Sequence, residues 1–277
     1  MYRLFFILLF LFIPLYFFSS SVVSRAEVVF FDVGQGDAFA LKTPQGKIIA
    51  VDGGPDLSAL YGWGRWLGWK RTIDILIISH GHSDHLAALP ELVTRYQIKQ
   101  ALLPSGLSGI AAQTLLSGLR SQGTAIIYPQ SETCWQLEPA CSLCIFPPTA
   151  EFLKTDDEND WSLALHFNCD GLSLAAAGDA NRRRELALLS SGFLWQAQIL
   201  KASHHGADTS NDPSFVARVK PAVVVISVGA DNTYGHPDPE LINSLRVAGI
   251  KVWRTDEQGS VIFYANNKKI NYRGLGF

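Results

Sequence analysis

Short apolar runs, separated by turns rich in glycine, dominate the chain after residue 26. Their valine, isoleucine and phenylalanine residues are typical of β-strands, and the turns between them predict hairpins. The run TIDILIISH in the first half is apolar almost throughout, as is typical of a strand buried on both faces. The segment after it has apolar residues at helical spacing and predicts a helix with Ser83 or Asp84 as its N-cap. In order, the predicted strands are EVVFFDV, AFALKTP, KIIAVDGG and TIDILIISH, and the predicted helix is SDHLAALPELVTRY.

The second half of the chain repeats this style, with strands and helices in alternation. A Cys-Asp-Gly turn divides its first apolar segment into two strands, and Gly192 ends the helix that follows. The last segment, KVWRTDEQGSVIFYA, predicts a closing hairpin. Before it come two strands in WSLALHFNCDGLSLAAAGD, a helix at NRRRELALLSSG, a strand at AQILKASHHG, a helix at NDPSFVARVK, a strand at PAVVVISVG and a helix at DPELINSLRVAG.

Both halves thus begin with hairpins and finish with alternating strands and helices. This order predicts an α/β fold in which two mixed β-sheets lie face to face with helices on the outer faces, in a single domain over residues 27–277. The most reactive residues, described below, follow the C-terminal ends of predicted strands. Open α/β sheets place their ligand sites at those ends, so the pattern predicts a functional site there.

The first 26 residues have a different pattern. Arg3 precedes an apolar run over residues 4–18, which is as long as the central region of a signal peptide and shorter than the roughly 20 residues of a membrane-spanning helix. Ser24 and Ala26 are small residues of the kind that precede a cleavage site. The segment is predicted to be a signal peptide or a retained membrane anchor, and either alternative places the rest of the chain in the periplasm or another extracytoplasmic space.

Composition and cysteine content narrow the function classes. The chain of 277 residues is 48% hydrophobic, which is enough for a full core, and its net charge of −2 excludes a polybasic nucleic-acid arm or an acidic tail. The cysteines are even in number and are consistent with two disulfides in an oxidising compartment. Buried thiols are the alternative, and a C-x-x-C pair also allows a zinc ribbon, although no second close pair follows it. The four cysteines are Cys134, Cys141, Cys144 and Cys169.

Three histidines and an aspartate fall within six residues, starting at the last residue of the strand TIDILIISH. His80 and His82 are two residues apart in an extended segment, so both imidazoles can point to the same side. Asp84 and His85 begin the next helix and can point to an adjacent position. Imidazole and carboxylate groups are ligands for zinc, and for manganese or iron where oxygen ligands increase. The stretch therefore predicts two adjacent metal positions.

This stretch matches the H-x-H-x-D-H signature of the metallo-β-lactamase superfamily, which the sequence resembles. Further segments occur in the order found in the hydrolase domain of ComEC-type DNA-uptake (competence) proteins and their stand-alone relatives. The resemblance covers about residues 27–265 and implies an αββα sandwich with two divalent metal ions, zinc or manganese. The matching segments are FFDVGQGDAFAL, AVDGG, NDWSLAL, AAGD, ILKASHHGADTS, SVGADNTYGHPDPE and WRTDEQGSV.

The resemblance also implies roles for the metal-binding residues. His80 and His82 are the implied ligands of the first metal. Asp84 and His85 are the implied ligands of the second metal, and Asp179, at a strand end in AAAGDA, is the implied bridge between the two ions. Asp84 and Asp179 are also candidates to orient the attacking water.

The last histidine ligand of the superfamily falls in KASHHG, where the spacing favours His205 over His204. His236, in YGHP, is similar to the extra histidine that phosphodiesterase branches use to hold phosphate or protonate a leaving oxygen; an ordinary loop residue is the alternative. His204 and His236 are therefore the candidates to donate to the phosphate or to the departing oxygen. Asn232, in the same segment as His236, is assigned with these two histidines to substrate binding.

Two positions depart from the pattern of the superfamily. Asn159 stands where the wider superfamily has a third histidine ligand for the first metal, and its neutral amide oxygen is a weaker ligand than imidazole. Asparagine at this place resembles the DNA-uptake subgroup, whereas that subgroup often has aspartate where this chain has His82. Asp32, Asp37 and Asp52 lie in Gly-rich turns, where aspartate commonly bonds its own backbone, so they are predicted to hold turns rather than to take part in catalysis.

Two metal ions and a metal-bound hydroxide suit the in-line displacement of a phosphodiester, and the resemblance points to DNA. The acidic net charge is an objection, because DNA-binding proteins usually carry a basic surface. Lys201 and the Arg182–Arg184 run lie in segments beside the predicted site and are the expected counter-charges, although the arginines equally fit a solvated helix face.

The predicted function is an exported metal-dependent phosphodiesterase, a nuclease that acts on DNA during uptake, with a polytopic membrane channel as a possible partner. One alternative is a hydrolase of the same fold that acts on another exported phosphoester or ester. The other is a non-catalytic domain associated with a channel.

Overall fold

The computed structural model describes residues 25–266 and 269–275. The predicted signal peptide or anchor over residues 1–26 falls outside these ranges except for its last two residues. In the described part of the chain, no helix is both long and apolar enough to cross a membrane.

The first sheet is built from both ends of the described chain. Its eight described strands are β1 (Glu27–Phe30), β2 (Phe39–Lys42), β3 (Ile48–Val51), β4 (Thr72–Ile77), β5 (Gln97–Leu102), β6 (Ala125–Ile127), β14 (Val261–Asn266) and β15 (Lys269–Gly274). They lie in the order β15-β14-β1-β2-β3-β4-β5-β6, antiparallel from β15 to β3 and parallel from β3 to β6. The parallel half brings the C-terminal ends of β3 and β4 to the same edge.

The second sheet has the same mixed character. Its seven described strands are β7 (Thr133–Glu138), β8 (Cys141–Phe146), β9 (Ala164–Cys169), β10 (Leu172–Ala176), β11 (Ile199–Lys201), β12 (Val223–Ile226) and β13 (Lys251–Arg254). They lie in the order β13-β12-β11-β10-β9-β8-β7, antiparallel from β7 to β10 and parallel from β10 to β13. The parallel half again gathers strand ends at one edge.

Alternating side chains divide the structure into layers, because successive residues of a strand point to opposite faces. Val28 and Phe30 of β1 belong to the apolar layer between the sheets, whereas Val29 packs on the outer face. Leu174 and Ala175 divide in the same way in the second sheet. The predicted αββα sandwich is confirmed. The outer layers are formed by helices α1 (Ser58–Leu67), α2 (Ser83–Leu86), α3 (Leu89–Arg95) and α4 (Gly109–Ser121) on the first sheet, and α5 (Arg182–Ser190), α6 (Pro213–Val219) and α7 (Pro239–Val247) on the second; α8 (Thr255–Gln258) lies between β13 and β14.

Two predicted elements are wrong. Residues 251–265 form no hairpin, because β13 is the edge of the second sheet while β14 pairs in the first, and α8 carries the chain across. The predicted helix from Ser83 is two helices, α2 and α3, and its N-cap is His82. Pro90 lies near the start of α3 and explains the break, because proline lacks the amide hydrogen that a continuous helix needs.

Two disulfides tie β7, β8 and β9 together. Cys134 is bonded to Cys144 and Cys141 to Cys169, and both pairs are cross-strand partners. No free cysteine remains among the described residues, so the structure supports the disulfide alternative and excludes the zinc ribbon. By restricting the unfolded chain, each bond contributes about 3 kcal/mol to the free energy of unfolding.

Candidate metal centre

The predicted site residues meet where parallel strands of both sheets end. In the first sheet, the chain leaves β4 at Ile77 and turns into α2 at Ser83. In the second sheet, β10 ends at Ala176 and β11 at Lys201, just before the turns that carry the other predicted ligands. The expectation that one site forms at the C-terminal ends of strands thus agrees with the geometry.

Asp84, His85, Asp179 and His205 form a compact cluster. The Asp179 Oδ2 atom lies 3.2 Å from Nε2 of His85 and 3.2 Å from Nε2 of His205. The Asp84 Oδ2 atom lies 3.1 Å from Nε2 of His205 and 3.7 Å from Nε2 of His85. One donor atom from each of the four residues lies within 4.8 Å of the others. Two imidazole nitrogens and two carboxylate oxygens are a donor set that suits zinc or manganese.

A hydrogen bond at Nδ1 orients each of the two histidines of this cluster. Nδ1 of His85 lies 2.9 Å from Oδ2 of Asp52, and Nδ1 of His205 lies 2.9 Å from the carbonyl oxygen of Ser227. Each Nδ1–H therefore donates to an oxygen, and each Nε2 faces the cluster. Metal-binding histidines are characteristically held by such a hydrogen bond, which fixes the ring and its tautomer.

Asp52 does more than hold a turn. Its buried carboxylate also accepts hydrogen bonds from the amide and the hydroxyl of Ser79, each at 2.7 Å. The prediction that Asp52 is only a turn residue is therefore wrong, because it supports the ring of His85. Asp32 fits that prediction, since it accepts from the amide of Gly34, two residues along.

Two of the four predicted basic counter-charges are buried and not available to a substrate, whereas Arg182 and Arg183 are exposed. Lys201 is fully buried, and its ammonium contacts the carboxylate of Asp37 and lies 3.4 Å from Oδ1 of Asp179. Burial opposes the charge of Lys201, but these carboxylates raise its pKa above the usual value. Arg184 is also buried and donates to the carbonyl oxygen of Phe146. Asp37, expected to hold a turn, instead neutralises a buried cation beneath the cluster.

His80 and His82, the predicted histidine ligands of the first metal, lie outside the four-residue cluster, and His80 adjoins it. The rings of His80 and His82 are 4.7 Å apart, and the ring of His80 lies 4.2 Å from that of His85. Nδ1 of His80 lies 3.0 Å from Oγ of Ser79. His80 Nε2 and Asn159 Oδ1 are both buried without a hydrogen-bond partner in the described structure. Buried polar atoms rarely lack partners, and these two are the donors expected to hold a first metal, so the residues fit one.

The second histidine pair is held in a tight turn. The backbone at His204 and His205 is left-handed, with φ of 49° and 53°, a conformation that costs a non-glycine residue roughly 1–2 kcal/mol. Ser203 anchors the turn: its amide donates to Oδ1 of Asn211 at 2.9 Å, its carbonyl accepts from Nδ2 of Asn211 at 3.0 Å, and its hydroxyl donates to Glu185 at 2.7 Å. As a result, His205 is buried in the cluster, whereas His204 stays partly exposed at the wall of a pocket.

The charges within the cluster balance one another. Burial lowers the pKa of His205, but Asp179 and Asp84 raise it overall to about 9. Burial likewise opposes the charge of His85, yet Asp179 and Asp52 raise its pKa well above the usual value. Burial raises the pKa of Asp84 and Asp179, but the two histidines hold both pKa values below normal. Near neutral pH the metal-free cluster therefore carries protons that a divalent cation must displace.

An open pocket of about 480 Å³ leads to the cluster. His204 and His236 stand in its wall with ring centroids 5.5 Å apart, and Tyr234 stacks on His236. Burial is the main cause that lowers the pKa of both His204 and His236, so both rings are neutral near pH 7. The lining residues are Gln35, Pro55, His82, Ser83, Asp84, Asp179, His204, His205, Tyr234 and His236.

Asn232, predicted to bind substrate, is engaged inside its own loop. Its Nδ2 donates to the carbonyl oxygens of Gly229 and His236 at 2.9 and 2.7 Å, and its Oδ1 accepts from the amide of His236 at 3.0 Å. Asn232 therefore folds the loop that presents Tyr234 and His236 to the pocket. Sequence reasoning missed Tyr234, although its aromatic ring two residues before His236 was a usable signal.

Comparisons with known proteins identify relatives of this chain. Residues 31–108 match the family model of the metallo-beta-lactamase superfamily. The chain is 26% identical over 267 residues to ComE operon protein 3 of Bacillus subtilis (strain 168), covering 88% of this chain and 34% of that protein. It is 28% identical over 254 residues to competence protein ComA of Neisseria gonorrhoeae, covering 87% of this chain and 32% of that protein. The chain thus spans about a third of the length of these curated relatives.

A solved structure supports the fold. The metallo-beta-lactamase fold protein YhfI from Bacillus subtilis superposes with a TM-score of 0.58 at 11% sequence identity, covering 87% of this chain and 100% of that chain. At this identity the likeness concerns the fold alone, which is the arrangement of two mixed sheets and outer helices described above.

Proposed function

We propose that this chain, which has the metallo-β-lactamase fold and is related to competence proteins, is a metal-dependent phosphodiesterase that cleaves DNA outside the cytoplasm during DNA uptake. One observation carries the proposal. The cluster of Asp84, His85, Asp179 and His205 opens into the same pocket as the neutral pair His204 and His236. Metal ligands and uncharged hydrogen-bond donors therefore face one reaction space.

The predicted ligands would suffice for two ions. Asp84, His85, Asp179 and His205 would hold one ion, and His80, His82 and Asn159 would contribute to a second. When bound, two divalent ions supply Lewis acidity and an activated water for in-line attack on phosphorus.

The side chains of the pocket supply positioning. Asp84 is the most exposed member of the cluster, with 29% of its side chain accessible, so its carboxylate can accept a hydrogen bond from the attacking water and orient it. His204 and His236, neutral near pH 7, each carry one ring N–H that can donate to a phosphate oxygen or to the departing oxygen. Such donors suit the negative charge that spreads over the oxygens of a transferring phosphoryl group.

The direct test is hydrolysis by the purified full chain in detergent, loaded with Mn²⁺ or Zn²⁺. We expect turnover of both single-stranded DNA and bis(p-nitrophenyl) phosphate. Turnover of the small diester without cleavage of DNA would favour the alternative of another exported phosphoester. If the chain neither binds metal nor hydrolyses either substrate, the enzymatic proposal fails.

Variants separate metal binding from substrate positioning. We expect His85→Ala and Asp179→Ala to lose bound metal and activity together, because both side chains belong to the ligand cluster. We expect His236→Ala to lower turnover with metal content unchanged, because His236 lines the pocket outside that cluster. Loss of metal from His236→Ala would contradict these roles.

The same proposal includes export and a channel partner. Two disulfides in β7–β9 support an oxidising compartment, because cytosolic thiols are kept reduced. The curated relatives that this chain matches are named as competence proteins, and we propose a polytopic membrane channel as its partner. Fractionation of cells, followed by thiol labelling without reductant, tests the location: cytoplasmic recovery with reactive cysteines would contradict export.

A further inference from the structure

The ring of Tyr234 extends the pocket beyond the groups that the proposed reaction uses. Although it lines the pocket, its side chain is 70% exposed. One face stacks on His236, with ring centroids 5.9 Å apart and planes inclined by 17°. The ring of His236 in turn lies 5.5 Å from that of His204. A row of three rings therefore leads from the edge of the metal cluster to solvent, and the outer face of Tyr234 is open.

The loop that presents this ring is organised before any ligand binds. Asn232 makes three hydrogen bonds with the backbone of Gly229 and His236, on both sides of Tyr234. On the facing side, the amide of Gly229 donates to Oε1 of Gln35 at 3.1 Å, which ties the loop to the first sheet. A ligand that stacks on Tyr234 therefore meets a surface whose ordering cost has been met in folding.

Basic side chains of the described residues do not line this pocket and so do not supply its recognition of a nucleic-acid strand. Among the described lining residues there is no lysine or arginine. Lys201 is buried against Asp37 and Arg184 is buried, while Arg182 and Arg183 are exposed but do not line the pocket. The metal ions, His204 and His236 would contact the reacting phosphate, and the open aromatic face of Tyr234 is the contact that we assign to the rest of the polynucleotide.

We propose that Tyr234 is a stacking platform for the nucleobase beside the reacting phosphate, and that the substrate is therefore single-stranded nucleic acid or an unpaired strand end. The proposal rests on the phosphodiesterase function proposed above. Every base has a π-face, so stacking on an aromatic side chain tolerates any sequence. A base inside a duplex is already stacked and paired, and its extrusion requires additional free energy. An open ring at the pocket mouth thus selects strands whose bases are free.

The test compares two fluorescent strands of equal length, an oligothymidylate and a fully abasic strand, both as phosphorothioates that resist hydrolysis. Binding to the metal-loaded full chain is followed by fluorescence anisotropy. We expect the base-bearing strand to bind about five- to hundredfold more tightly than the abasic strand. Equal affinity of the wild-type protein for the two strands would overturn the proposal.

Three variants assign the preference to the ring. Tyr234→Leu should abolish the preference for bases without changing affinity for the abasic strand, and Tyr234→Phe should keep it, because stacking needs the ring and not the hydroxyl. Tyr61→Leu is the matched control, since Tyr61 is a 76% exposed tyrosine of α1 that does not line the pocket. A preference that survives Tyr234→Leu, or that Tyr234→Phe loses, also overturns the proposal.

Hydrolysis is measured separately, so the two proposals fail in different ways. On unmodified single-stranded DNA, Tyr234→Leu should raise KM while kcat changes little, because the ring binds substrate equally in the ground state and the transition state. Absence of hydrolysis by the wild-type chain refutes the phosphodiesterase function and leaves the binding preference as its own result. Hydrolysis without any preference for bases refutes the stacking platform alone.

Discussion

Asp52→Asn is the substitution that most directly tests how the metal centre is organised. The carboxylate of Asp52 accepts from Nδ1 of His85 at 2.9 Å and from the amide and hydroxyl of Ser79 at 2.7 Å each. Asparagine has the same shape, so Oδ1 can still accept from the Ser79 amide. The new NH₂ group replaces Oδ2 and faces Nδ1 of His85 as a donor. Nδ1 must then accept, which moves the proton of the neutral ring to Nε2, the atom that faces Asp179 and Asp84.

The expected effect follows from this change of tautomer. A protonated Nε2 has no lone pair for a metal ion, so the ring must rotate or lose a hydrogen bond before it can bind. Loss of the group that orients a metal-binding histidine typically lowers metal affinity or activity by about ten- to hundredfold. In the metal-free protein, His85 also loses a charged partner, which lowers the free energy of unfolding by about 1–3 kcal/mol.

Competition with a chromogenic chelator measures the affinity for Zn²⁺, and urea denaturation of the metal-free protein measures the stability. Asp32→Asn is the matched control, because Asp32 lies in a similar Gly-rich turn and accepts only a local hydrogen bond, from Gly34, that asparagine can also accept. Unchanged affinity in Asp52→Asn, or an equal loss in Asp32→Asn, would refute the reasoning.

Further predictions concern the buried network, the disulfides and pH. Lys201→Met should lower the free energy of unfolding by about 3–5 kcal/mol in urea denaturation, because it leaves buried carboxylates without their cation; an unchanged midpoint would contradict this. Glu185→Gln should cost about 1–3 kcal/mol and weaken metal binding, because an amide hydrogen would face the backbone donor at Asp212. Reduction of both disulfides should lower stability by about 3 kcal/mol for each bond, measured by thermal unfolding with and without reductant. Metal affinity should rise by about tenfold or more per pH unit between about pH 6.5 and 8.5. The reason is that His205 has a pKa of about 9 in the metal-free protein and must lose its proton before it binds metal. A metal affinity that does not change with pH in chelator competition would contradict this.

Local sequence was sufficient for much of the fold. The short apolar runs between turns predicted β1 and the pair β9–β10, and the structure confirms these strands, with Val28 and Val29 on opposite faces of the sheet. The predicted set lacks α1, α4, α8, β15 and the strands from β5 to β8. In β5, only alternate residues are buried over its first half and polar residues lie between them, so the run QIKQAL carries little apolar signal.

The separation of β13 and β14 could not be read from local pattern. Residues 251–265 have the composition of a hairpin. However, β13 pairs in parallel with β12, whereas β14 pairs antiparallel with β1 in the other sheet. Strand pairing depends on which edges remain open after the rest of the chain has folded, and side-chain periodicity does not report this.

The residues of the candidate metal cluster were predictable, since their chemistry and their place after strand ends are local properties. The sequence indicated the stretch from His80 to His85, together with Asp179 and a preference for His205, and the structure brings four of these side chains within 4.8 Å. The groups behind them were not predictable. Asp52 reaches His85 because β3 and β4 pair in parallel with Val51 beside Ile77, which sets the ends of the two strands side by side.

Tertiary structure therefore decided which charges serve the site and which serve the fold. The sequence predicted Lys201 and Arg184 as basic residues beside a DNA-binding site. Both side chains are buried, and Lys201 neutralises Asp37 beneath the cluster. The physical reason is that a side chain's chemistry is a property of its residue, whereas its solvation and its partners depend on segments far away in the chain. Residue type predicted what could bind metal, and only packing established what supports the ligands and what remains open to a substrate.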